Sequence, residues 1–258
     1  MIRRLKGFYM SLGMFSAIPL PVHVWDESLT KIMAAAFPMV GLIIGVIWWA
    51  VGLAVISLNF PLVIGAAILA VLPFLLYGFI HLDGYMDTSD AHLSRRPFEE
   101  KLRILKDPNV GAFAVIMLAV LFLLQFAAVY TIAESGRFLA LFIAISVFSR
   151  CCSAFSIFTL RHSPQSNYAA IIGQGRSTGA KIFVIITALG TIAFAFLYAE
   201  YVGLIVILAV ILGFTLAMRT VYKNFKGVSG DLLGYCLVIG ELCGLIALAL
   251  LQGFEVGI

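Results

Sequence analysis

The chain has 258 residues, 62% of them hydrophobic and 12% charged, with a formal net charge of +4 and a mean hydropathy of +1.08. Soluble domains carry roughly 25% charged residues, and about half of any folded surface must still face water. This composition therefore excludes a soluble enzyme, a disordered chain and a secreted disulfide scaffold, and the mild charge implies no nucleic-acid partner.

The chain reads as a single integral membrane domain over residues 1–258, an all-α, polytopic membrane helical bundle of about seven transmembrane helices. Arg3, Arg4 and Lys6 precede an apolar stretch at 7–22 that Pro19 and Pro21 interrupt. No A-x-A site closes it, so an interfacial or partly re-entrant segment is expected there rather than a cleavable signal. Spans are then predicted at about 33–57, 61–80, 112–133, 138–158, 182–199, 202–218 and 232–252; the second, fifth and sixth are near the lower length limit for crossing a bilayer, so re-entrant pairs are the alternative there. The apolar runs are continuous, without the alternation of a barrel strand, so the spans are helices.

Basic residues test this count. Lys31 precedes the first span, and the 81–111 loop holds Arg95, Arg96, Lys101, Arg103 and Lys106. Arg161, Arg176 and Lys181 follow the fourth span; Arg219, Lys223 and Lys226 follow the sixth. The alternate loops, near Asn59, Ser135 and Glu200, contain Arg137 as their only basic residue. This asymmetry predicts a multi-pass protein of the cytoplasmic membrane, with the N-terminus and the three larger loops in the cytoplasm. Cys151, Cys152, Cys236 and Cys243 lie in apolar runs without ligand spacing and read as packing residues.

Polar chemistry concentrates between His81 and Phe113. Asp83, Asp87 and Asp90 have i, i+4, i+7 spacing, which at about 100° per residue places all three carboxylates on one helix face. Like charges so arranged repel, the more so at the edge of an apolar span. A divalent cation would relieve this, and hard oxygen donors suit Mg²⁺ or Mn²⁺; the alternative is a solvated acidic helix end pairing with Arg95, Arg96 and Lys101. Gly84 offers close approach to a phosphate or a second backbone, or else a flexible start to the loop. His81 and His92 read as interface histidines, with ligand or acid–base roles as the alternative. Glu99 and Arg103 form an i, i+4 pair on an amphipathic loop helix that Pro108 ends.

Further along, Arg150 lies about two turns inside the fourth span, where a charge needs a partner or a wet cavity; the alternatives to a functional role are snorkelling to the interface and an ion pair with Glu241 inside the bundle. Asp231 opens the seventh span, either as a helix cap or as a functional acid, and Glu241 is buried ten residues later. The run IIGQGRSTGAK, with Arg176 and Lys181, lacks the Walker spacing and is either a backbone phosphate site or a plain connector.

HLDGYMDTSD followed by RRPFEEKLRILKDPNVGAF resembles the signature of the adenosylcobinamide-GDP ribazoletransferase (cobalamin synthase) family, H-x-D-G-x-x-D-x-x-D and then a K-D-x-x-x-G stretch. GMFSAIPLP and SGDLLGYCLVIGE are similar to two further family segments, so the resemblance runs from about Phe15 to Glu241. Ala91 stands where the family has glycine, Ser16 where it has threonine, and Phe113 at a glycine-like position. The resemblance implies a membrane phosphotransferase that joins adenosylcobinamide-GDP to α-ribazole, or its 5′-phosphate, releasing GMP. It implies Mg²⁺ on Asp83, Asp87 and Asp90, with one of these or Asp231 taking the proton of the attacking hydroxyl. Substrate contacts fall to His81, Gly84, Lys106, Asp107, Gly111, Arg150 and Arg176. Its partners are the corrinoid nucleotide, the ribazole and the lipid bilayer, with self-association or association with other cobalamin-pathway enzymes as further expectations. Two rival readings remain: a transporter or channel with Asp83, Asp87, Asp90, Arg150 and Glu241 along an ion path, and another membrane-embedded phosphotransferase, such as a lipid head-group enzyme.

Overall fold

In a bilayer every backbone polar group has to be satisfied within the protein, and continuous apolar runs achieve this as helices. The computed structural model describes residues 2–163 and 177–256, and among these no strand occurs. The helices are α1 (Ile2–Phe15), α2 (Thr30–Ala35), α3 (Phe37–Ser57), α4 (Leu62–Leu76), α5 (Ile80–Leu93), α6 (Phe98–Ile104), α7 (Ala112–Ser135), α8 (Leu141–Thr159), α9 (Thr178–Phe225) and α10 (Gly230–Val256). The expected 7–22 segment is α1 followed by an extended stretch.

By length and apolarity, five of the described helices are able to span, or six if the bent pair α4–α5 counts as one. The count of seven expected from sequence is reached only by treating the two arms of α9 as separate spans. At 1.5 Å per residue a helix of that length would run roughly 72 Å, over twice a bilayer core. It breaks at Ala199 and Glu200, whose backbone angles leave the helical region. A Cβ on Gly203 would collide with the Ala195 backbone, so the chain changes direction there.

The span expected at 61–80 also stops early. α4 ends at Leu76, and Gly78 (φ 63°) and Phe79 (φ 60°) turn the chain left-handed, so that α5 leaves at 92° to α4. The turn is held by Gly78 N–H donating to Leu75 O (3.1 Å) and Phe79 N–H to Phe74 O (2.9 Å), the way helices commonly end at a left-handed residue. Much of the stretch expected as a loop at 81–111 is therefore helical, as α5 and α6.

α8 is the axis of the bundle, with 83% of its span buried, and α10 follows at 72%, whereas α7 is only 28% buried. α7 and α9 turn Leu123, Ile186, Leu197 and Leu208 outward. In water such a surface would drive association; in a bilayer it is the lipid face. The end of α8 is tied to the α9–α10 turn by Val228 N–H to Arg161 O (3.0 Å) and Ser163 N–H to Val228 O (2.9 Å).

Candidate active site

α5 sits where it does because its inner face packs on two neighbours. Tyr85 stacks on Tyr235 of α10 at 5.6 Å between ring centres, and its hydroxyl donates to Met117 O of α7 at 3.1 Å. Leu82 and Ala91 are buried alongside. The opposite face carries the acids: Asp83 is exposed, and Asp87 and Asp90 are partly exposed. Turned across the end of the bundle and bearing three carboxylates, α5 lies outside the apolar spans.

Two glycines bring this face against the rest of the site. A Cβ on Gly84 would lie 2.6 Å from Asp231 O and 2.7 Å from Asp231 Cα, so only glycine lets α5 touch the start of α10. The exposed Asp231 is thereby placed beside the α5 acids. A Cβ on Gly111 would overlap the Asp90 carboxylate, so Gly111, at the N-terminal end of α7, is the surface on which that carboxylate rests. The first peptide units of a helix carry partial positive charge, a favourable place for an anion.

Burial, and then the neighbouring charges of Asp83, Asp231 and Asp90, push the Asp87 carboxyl up to about 7. A half-buried carboxylate among three others lacks a counter-charge, and four hard oxygen donors are the set that suits Mg²⁺ or Mn²⁺. In charge and donor type the residues fit a divalent cation. Among the described residues, no three acidic, histidine or cysteine side chains already converge as a metal cage.

Comparison with known proteins shows the family. The model of the cobalamin-5-phosphate synthase family matches residues 7–249. The chain belongs to this family. It is 38% identical over 247 residues to the adenosylcobinamide-GDP ribazoletransferase of Clostridium botulinum (strain Alaska E43 / Type E3), a match covering 95% of this chain and 97% of that one. It is 31% identical over 255 residues to the Lachnoclostridium phytofermentans protein of the same name, covering 96% and 95%. With that of Listeria monocytogenes serovar 1/2a it shares 30% over 252 residues, covering 96% and 99%. No solved structure matches.

Within this family member the remaining expected site residues divide. His81 is buried at the start of α5, its ring 5.3 Å from that of Tyr77 and 5.5 Å from that of Phe37. Lys106 and Asp107 lie exposed in the turn before Gly111. Asp107 accepts from Asn109 N–H (2.9 Å) and Asn109 Nδ2 (2.7 Å), which holds its carboxyl below the usual range. That carboxylate shapes the turn that delivers Gly111. Arg150 is fully buried and pairs with Glu241; it is not among the charges acting on Asp87. Arg176 lies outside the described residues.

Sequence reasoning missed Tyr77, Ser146 and Ser149 around Arg150. It also missed Asn224, which accepts from Lys101 Nζ at 2.7 Å and so docks α6 on the end of α9. All four are ordinary residues whose partners are distant in the chain, and no local signal marks them.

The two glycines give opposite expectations. Gly84→Ala drives a methyl into the Asp231 backbone, which cannot step aside, and should cost about 1–3 kcal/mol of stability as overpacking does. Gly111→Ala meets only the movable end of Asp90. It should change stability by about 0.5 kcal/mol or less, as at ordinary surface sites, while lowering turnover because Asp90 is displaced. Thermal melts in detergent beside turnover measurements check both; a Gly111→Ala enzyme with normal turnover would show that the Asp90 position does not matter.

Proposed function

We propose that this chain is a Mg²⁺- or Mn²⁺-dependent phosphotransferase. It joins adenosylcobinamide-GDP to α-ribazole, or to its 5′-phosphate, and gives adenosylcobalamin or its phosphate together with GMP. The observation that carries this reading is the gathering of Asp83, Asp87 and Asp90 with Asp231 at one end of the bundle, across the Gly84 contact. A ribose hydroxyl of the acceptor attacks the phosphorus that bears cobinamide, and the bond from that phosphorus to the oxygen of GMP breaks. A carboxylate of the cluster takes the hydroxyl proton. A divalent cation held by Asp83, Asp87 and Asp90 would neutralise the diphosphate and the departing GMP. Lys106 and Arg176 add positive charge for the diphosphate, since phosphoryl transfer depends chiefly on positioning and charge stabilisation.

The test is an incubation of detergent-solubilised protein with both substrates and Mg²⁺, with no membrane gradient. GMP and the cobalamin product should appear together and should vanish with EDTA. A transporter would release no GMP, and a lipid head-group enzyme would ignore α-ribazole.

A cytoplasmic position of the acid cluster is supported by charge. α6, with Lys101, packs on the end of α9 through Asn224, and Lys226 Nζ lies 4.1 Å over the Phe98 ring, so the basic loops share one end of the bundle. Cysteines introduced at Arg96 and Lys223 should react with an impermeant label only from the cytoplasmic side, and one at Ser135 only from outside. Labelling of the Arg96 position from outside would overturn the orientation.

A further inference from the structure

A cavity of ≈ 140 Å³ opens between α1, α2, α3, α5, α8 and α10, and of the acid cluster it reaches Asp231. Its walls are largely apolar, with Phe15, Phe37, Ile157 and Leu237 among them, and Asp231 stands at its edge. Two polar side chains interrupt this wall, His81 at 7% exposure and Ser153 at 2%. Neither His81 Nε2 nor Ser153 Oγ has a hydrogen-bond partner within the protein. Buried polar atoms are nearly always paired, and an orphan costs free energy. Two of them in one apolar wall mark a place for a ligand with little polar surface and at least one hydrogen-bonding atom.

From this geometry we propose that the cavity receives the heteroaromatic base of the acceptor, so that Asp231 faces the acceptor's ribose. The assignment rests on the ribazole-transfer reading and adds to it a place for one of the two substrates. Size limits the occupant, because an apolar cavity of about 150 Å³ holds a benzene ring. A flat fused-ring base with its sugar left at the mouth is the largest part of either substrate that fits with modest adjustment; the corrinoid macrocycle does not. Polarity then separates the acceptor base from the guanine of the donor. Guanine presents hydrogen-bonding groups along several edges, and most would go unpaired against two polar wall atoms. A benzimidazole-type base, once bonded to its sugar, keeps one ring nitrogen with a free lone pair, which matches a hydroxyl or imidazole N–H donor. A lipid chain would leave both polar atoms orphaned.

The experiment measures KM for α-ribazole and for adenosylcobinamide-GDP separately, and the binding of α-ribazole alone by equilibrium dialysis, all on full-length protein in detergent. Ser153→Leu fills the cavity and should raise the acceptor KM by about tenfold or more, the effect of a misplaced group in a tight apolar pocket, with the donor KM unmoved. Ser153→Ala keeps the space and the fold but removes one hydrogen bond, and should raise the acceptor KM by about two- to tenfold. Each variant should weaken α-ribazole binding in the dialysis measurement by about the factor by which it raises the acceptor KM. A rise in the donor KM, an equal rise in both, or no change in either with Ser153→Ala would overturn the assignment. The two readings fail separately. Saturable α-ribazole binding that Ser153→Leu abolishes, in a protein with no transferase activity, keeps the cavity and rejects the reaction. Normal transfer with an unchanged acceptor KM keeps the reaction and rejects the cavity.

Discussion

Asp87→Asn is expected to lower transfer by about three orders of magnitude, the range seen when one group that stabilises transition-state charge is removed, while raising the stability of the metal-free protein. Both effects come from the same crowding. Asp87 is half-buried beside Asp83, Asp231 and Asp90, and its carboxyl is pushed up to about 7. A folded-state value above the unfolded one means that the fold holds the proton more tightly than the unfolded chain does. The resulting destabilisation is absent below the unfolded value, grows as pH rises, and is complete above about 7. Asparagine keeps the shape and removes the charge. For a side chain so open to solvent the gain is on the order of 1 kcal/mol once screening is counted, or a rise in Tm of about 2–4 °C. In EDTA the gap between variant and parent should therefore widen from about pH 5 to pH 8. With Mg²⁺ present it should shrink or reverse, because only the parent gains from the ion. Near-normal turnover of Asp87→Asn at saturating substrate would reject the metal role; a variant less stable than the parent in EDTA would reject the electrostatic account.

What the sequence made legible here was local. The i, i+4, i+7 spacing of Asp83, Asp87 and Asp90 placed the acids on one face, and the structure has them on the outer face of α5. The break in α9 was expected between 199 and 202, because an apolar run of that length cannot cross a bilayer once and Glu200 interrupts it. The shortness of the 61–80 segment left a re-entrant course open, but the place where α4 ends was hidden, since residues 61–80 are apolar throughout. The signal in retrospect is Gly78, the residue type that most readily takes the left-handed turn closing a helix. Of the contacts that assemble the site, the sequence offered only that Gly84 admits a close neighbour such as a second backbone; which segments meet was not legible. Gly84 meets Asp231, and Asp90 lies on Gly111, because of how α5, α7 and α10 pack, and no periodicity within one helix encodes a neighbour so far along the chain. Arg150 differs: the surrounding Tyr77, Ser146 and Ser149 were not legible, whereas its depth in the fourth span and Glu241 as a candidate partner both were, and the structure pairs the two.

That partner sets the last expected result. Arg150 is fully buried, and its Nη1 donates to Glu241, to Ser146 O at 2.9 Å and to Ser149 Oγ at 2.9 Å. Ser149 Oγ lies 3.0 Å from Glu241 Oε1, and the guanidinium sits 3.9 Å over the Tyr77 ring. Tyr77 OH in turn shares a 2.7 Å hydrogen bond with Ser146 Oγ, and Tyr77 caps the C-terminal end of α4, where the turn into α5 begins. The ion pair thus joins α8 to α10 and holds the bend that aims the acid-bearing helix. Arg150→Met should leave Glu241 buried without its partner and destabilise the protein by about 3–5 kcal/mol, a fall in Tm of roughly 6–20 °C. The added change Glu241→Gln removes the orphaned charge while keeping an amide for Ser149, and should restore most of that loss, since replacing both members of a buried pair is often neutral. If the pair positions α5 and does not touch substrate, the double variant should also recover transfer, with both KM values near those of the parent. A double variant that melts like the parent yet remains inactive would instead place the Arg150 guanidinium on the diphosphate.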